Sequence, residues 1–180
     1  MMAKMRSRIA ERLSGRLMRG AVGFWIIKLA VVGAFLFAGC GPLGPIPGRA
    51  LSGPVGERDV SDWSFAADVE NAQLETRPGD PHSVNTWFAS VGLQLYVPTS
   101  MILGPKTPTK RSWVTHLDED NRVRIRLGDR VFERQAKRVD SGGPEYTAAR
   151  SALEARYAIK PEDRDPEREV WIYRIEAREN

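Results

Sequence analysis

Residues 122–139, RVRIRLGDRVFERQAKRV, limit what this chain can become more than any other stretch. Val123, Ile125 and Leu127 alternate with Arg122, Arg124 and Arg126, and a period of two marks a half-buried strand. Gly128-Asp129 follows, a pair that accepts the positive φ of a two-residue hairpin turn. A turn that tight sets Leu127 against Arg130, Ile125 against Phe132 and Arg124 against Glu133. The second pair is apolar and the third opposite in charge, cross-strand neighbours worth about 0.2–1 kcal/mol each. The same register puts Arg134 on the face of Val123, which alternation alone does not explain. On this reading Arg124 points to solvent, so Arg124→Ala is expected to cost little.

The rest of the C-terminal two thirds reads as sheet around that hairpin. Gln73–Arg77, Val84–Ser90 and Leu93–Val97 are short and β-branched or aromatic, with Gly92 as a break. Glu169–Ala177 carries Trp171, Tyr173 and Ile175 on one face and Val170 and Ile172 on the other. A strand apolar on both faces is covered on both. A helix is expected from about Pro144 to Ile159, where Tyr146, Ala149, Leu153 and Tyr157 share one side. This order predicts a mainly β, α+β domain: a six-stranded antiparallel barrel with a C-terminal helix closing one end.

The first forty residues are of another kind. Residues 21–39, AVGFWIIKLAVVGAFLFAG, are apolar except for Lys28, and seven basic residues in 1–40 face only Glu11. That segment therefore carries +6, and with +4 overall the remainder is −2. The basicity belongs to the leader, so nucleic acid is excluded as a partner of the domain. The positive flank keeps residues 1–20 cytoplasmic and sends the rest across. Residues 21–40 then form either a spanning helix or a signal segment ending at Cys40. Phe37-Ala38-Gly39-Cys40 resembles the lipobox of bacterial lipoproteins, in which the cysteine is lipidated. Both readings place residues 41–180 on the non-cytoplasmic face of the membrane. Residues 41–56, with four prolines and five glycines, read as a stalk, and 57–180 as the domain. One cysteine allows no internal disulfide. His82 and His116, 34 residues apart, suggest no metal site, and Asp118-Glu119-Asp120 reads as a solvated turn.

From Asp62 onward the chain resembles the split β-barrel proteins related to pyridoxamine-phosphate oxidase and the deazaflavin-dependent nitroreductases. The matching pieces are Glu75–Arg77, TWFASVGLQLYV at Thr86–Val97, a basic loop with Trp113, the Arg122–Val139 hairpin and a helix ending in Tyr157. The resemblance implies a groove for flavin mononucleotide (FMN) or a deazaflavin beside the barrel. It implies that Thr99, Ser100, Lys106, Lys110 and Arg111 face the cofactor phosphate, with Trp113 at the following turn. Trp87, Phe88, Tyr96 and Trp113 are candidates to wall the ring, and equally candidates for the core. The loop GPKTPTKRS lacks the compact Gly-Arg-Lys-Ser-Gly cluster of the nitroreductases.

No hydrolytic constellation is present in the sequence. Two functions stay open: a membrane-anchored oxidoreductase acting on a small molecule, in which the cofactor carries the chemistry, and a non-catalytic anchored module that binds a small ligand or protein. The membrane and a small-molecule ligand are the expected partners, and a homodimer is left open.

Overall fold

The computed structural model describes residues 41–60 and 62–178. The leader 1–20, the apolar segment 21–40 and the candidate lipidation site Cys40 lie outside the described residues. Among the described residues, no helix is long and apolar enough to cross a membrane.

The hairpin forms in the register its alternation dictates: Leu127 pairs with Arg130, Ile125 with Phe132, Arg124 with Glu133 and Val123 with Arg134. Around it, seven described strands form one antiparallel sheet. They are β1 Ala72–Thr76, β2 His82–Thr86, β3 Ala89–Val91, β4 Gln94–Pro98, β5 Arg122–Leu127, β6 Arg130–Arg138 and β7 Ile172–Ala177. Their order is β2-β1-β5-β6-β7-β4-β3. Seven strands appear where six were expected because the stretch Val84–Ser90 breaks at Trp87-Phe88. The Phe88 amide donates to the Tyr157 hydroxyl at 3.0 Å instead of to a ladder. As a result β2 pairs with β1 at one edge of the sheet and β3 with β4 at the other.

Two α-helices accompany the sheet among the described residues, α1 Ser112–Glu119 and α2 Pro144–Arg156. The expected helix is α2, with Ala149 and Leu153 fully buried. It is followed in the chain by β7, so it is not the last element. Helix α1 replaces the loop and the solvated turn expected around Trp113 and Asp118. Its Trp113, Val114 and Leu117 are buried in one cluster with Leu74, Val97, Ile125, Phe132 and Tyr173 of the sheet. A second apolar cluster joins α2 to Tyr96, Val170 and Ile172. The β7 region thus has Tyr173 and Ile175 in the first cluster and Val170 and Ile172 in the second. Its two-sided apolar pattern reflects cover on both faces.

Arg134 also finds its reason. It is 3% exposed, its guanidinium lies 5.9 Å from the Trp63 ring centroid and 5.3 Å from that of Phe132, and it donates to the carbonyls of Glu133 and Glu57.

Residues 41–56 run along the sheet as a strap. Gly48 pairs with Ser83, Gly56 N–H donates to Val131 O at 2.8 Å, and Leu51 is 2% exposed. The strap explains a second departure from expectation. Arg124 is half-buried and reaches Glu75 on β1 at 3.3 Å, beneath Leu51. Arg124→Ala should therefore cost about 1.5–3 kcal/mol, because it leaves a buried carboxylate without its cation. Urea unfolding measures the loss.

Gly128 has φ +63, and a Cβ there would meet only Val69 at 3.7 Å. The penalty for a side chain is thus backbone strain, not collision. Gly128→Val should cost about 1–3 kcal/mol, read from the denaturation midpoint.

Candidate functional site

Beyond Pro98 the chain leaves β4 but stays beside the residue preceding β7. Thr99 N–H donates to Trp171 O at 2.9 Å, and Trp171 N–H donates to Thr99 Oγ1 at 3.0 Å. The hydroxyl of Thr99 accepts one bond here and keeps its own proton to donate. Ser100 Oγ accepts from Arg111 Nε at 2.6 Å and likewise retains a proton. Arg111, extended at the N-terminus of α1, also donates through Nη2 to Leu103 O at 3.3 Å. Burial, and then the nearby Arg168 guanidinium, pull Arg111 below its ordinary value. Thr99, Ser100 and Arg111 line one cavity of about 190 Å³, together with Thr86, Trp87 and Trp113. Two hydroxyls and a guanidinium with no carboxylate beside it among the described residues suit an oxyanion.

The structure separates the other candidates. Lys110 sits exposed in the short 3-10 turn Pro108–Lys110 and does not line this cavity. Lys106 is engaged by Asp165 at 2.9 Å and Glu167 at 2.8 Å. Among the aromatics, Trp87 lines the cavity and stacks on Tyr157, with centroids 4.3 Å apart and planes at 9°. Phe88 is buried under the Arg156 guanidinium. Tyr96 is buried and donates to Glu145 at 3.0 Å; burial first, then that carboxylate, push its phenol up to about 12. Trp113 is 2% exposed and packs edge-on against Tyr173 at 5.6 Å, so it floors the cavity as a core residue. Asn71 and Asn85 also line the cavity. Nothing in their sequence context separates them from ordinary turn and strand residues.

His82 and His116 are brought together by the fold, with ring centroids 5.2 Å apart. Thr76 Oγ1 lies 2.9 Å from His116 Nδ1 and 3.3 Å from His82 O, so one hydroxyl links the two histidines. Burial first, then Arg77, lower both histidines below their ordinary value. Both therefore prefer to be neutral in the folded protein, and the unfolded chain binds more protons below its own pKa of about 6.5. Stability should be complete above that pH and fall as pH drops below about 6.5. The joint substitution His82→Gln, His116→Gln should flatten the fall in melting temperature over that window.

No family model matches the chain, and no curated protein matches it. Solved structures do. A conserved hypothetical protein from Mycobacterium tuberculosis aligns with a TM-score of 0.50 at 22% identity, over 71% of this chain and 87% of its own. The chain has the split β-barrel fold. An F420-H2 dependent reductase aligns at TM-score 0.46 and 17% identity, over 59% of this chain and 94% of its own. A putative pyridoxamine 5'-phosphate oxidase from Listeria innocua gives 0.43 and 18%, over 64% and 90%. In this split barrel, the cavity beside Trp87 lies where β4 runs out and α1 begins.

Proposed function

We propose that this split barrel holds a flavin or deazaflavin cofactor, FMN or a relative, by its phosphate and acts as an oxidoreductase on a small molecule. We further propose that residues 21–40 tether it to the membrane, with the domain on the non-cytoplasmic side. One observation carries the cofactor reading: Thr99, Ser100 and Arg111, distant in sequence from Trp87, converge on one cavity beside that indole. The donor set fits a phosphate monoester, with two hydroxyl protons and a guanidinium to spare. When bound, such a cofactor supplies the hydride or electron transfer. Arg111 neutralises charge, Thr99 and Ser100 orient the oxygens, and the Trp87–Tyr157 stack offers a rigid aromatic surface.

The cavity volume of about 190 Å³ is below the roughly 300 Å³ at which ligand pockets usually begin, so it takes the phosphate end alone. That small size favours the second reading, an anchored module that binds a ligand without chemistry. Titration of the full-length chain in detergent with FMN and with a deazaflavin, followed by fluorescence, decides between them. Arg111→Ala should weaken binding by about ten- to hundredfold. Lys110→Ala should leave it unchanged. Absence of binding of either cofactor at about 100 μM, far above the micromolar range, removes the redox reading.

A further inference from the structure

A larger cleft, about 670 Å³, opens on another part of the molecule, between Arg58, Asp59, Val60 and Trp63, which follow the strap in sequence, and the strands β4, β6 and β7. It shares no lining residue with the cavity beside Trp87. Its walls are of two kinds. Toward α2, Arg174 is neutralised by Glu145 at 2.7 Å and by Glu176, and Tyr96 completes that group. Toward the strap lies Arg134, buried and, among the described residues, without a carboxylate in ion-pair contact. Its two hydrogen bonds go to backbone carbonyls of Glu133 and Glu57, which leaves other N–H donors of a five-donor guanidinium unassigned. Between the two ends the wall is apolar: Val60, Trp63, Leu93 and Ile175.

A buried guanidinium whose hydrogen bonds go only to carbonyls is costly to keep charged, even with two rings stacked against it. Fastening the strap would need only a neutral donor. We propose that this cleft binds a monocarboxylate with an apolar body, its carboxylate held by Arg134 and its body along Trp63, Val60 and Leu93. The planar fork of Arg134 matches a carboxylate in two parallel hydrogen bonds. A single negative charge suits the cleft better than a dianion, because Asp59 acts on Arg134 and Glu145 and Glu176 stand across from it. This site is independent of the cofactor reading.

The test uses the full-length chain in non-ionic detergent and calorimetric titration with 4-phenylbutyrate and its uncharged amide, detergent-only heats subtracted. The acid should bind at least about tenfold more tightly than the amide, the preference of a charge-assisted pair. Arg134→Gln should abolish that preference, and Arg111→Ala should leave it intact. Arg134 also packs on two rings, so a second variant avoids the core. Leu93 is 61% exposed at the rim, and Leu93→Glu, which adds a negative charge as it removes a contact common to both ligands, should weaken the acid about three- to tenfold more than it weakens the amide. Equal affinity for acid and amide overturns the proposal. So does the lack of any binding at about 10 mM, far weaker than specific ligands, whether Arg134 merely fastens the strap or a second copy covers the cleft.

Discussion

Glu75→Ala should destabilise the protein by about 3–5 kcal/mol, the cost of breaking a buried charge pair by removing one partner. Glu75 is 3% exposed near the C-terminal end of β1. Its carboxylate accepts the Leu51 amide at 2.5 Å and meets Arg124 Nη1 at 3.3 Å. Without it, a buried backbone donor loses its acceptor and a half-buried guanidinium, whose Nε already has no partner, loses its anion. Two measurements check the mechanism. The urea midpoint should fall, and amide exchange at Leu51 should lose protection together with Gly48 and Gly56 as the strap lifts. Arg122→Ala, which removes an exposed pair with Asp120, should leave both readings unchanged.

Trp113→Ala should cost about 3–5 kcal/mol, in the range of large aromatic truncations in a packed core. The indole is 2% exposed and touches the core cluster beneath the cavity, edge-on to Tyr173. A residue that served only to stack on a cofactor would show no such loss in the ligand-free protein. Thermal unfolding without ligand therefore separates the two roles. Trp87→Ala is the comparison, since Trp87 is half-buried, stacks on Tyr157 and packs at the border of the second apolar cluster, outside the main core. Its effect on unliganded stability should be clearly smaller than that of Trp113→Ala.

The elements most legible in the sequence were those whose pattern is local. The β5–β6 register follows from a two-residue turn and strict alternation, so no distant contact was needed to predict Ile125 opposite Phe132. Helix α2 was equally visible, because Pro144 at its start and Tyr146, Ala149 and Leu153 at helical spacing are all local signals. Helix α1 was hidden. It is eight residues long, lacks a side-chain N-cap and follows a Pro- and Lys-rich loop, and Trp113, Val114 and Leu117 need the sheet to give them a common face. Of the phosphate candidates, the family resemblance named Thr99, Ser100 and Arg111, which meet. It also named Lys106, which finds carboxylates at 165 and 167 instead, and Lys110, which stays exposed in the 3-10 turn.

What the sequence determined by itself was therefore the hairpin register, the two-faced character of the β7 segment and the segregation of positive charge into residues 1–40. Each depends on neighbours within a few positions or on composition alone. Only the tertiary structure decided that residues 41–56 lie on the sheet, that Arg124 is covered, and that Arg134 lines a cleft instead of reaching solvent. It also set His82 against His116. Those outcomes join residues 24 to 77 positions apart, and each turns on burial: whether a polar group stays in water or must find a partner is settled only when distant segments close over it.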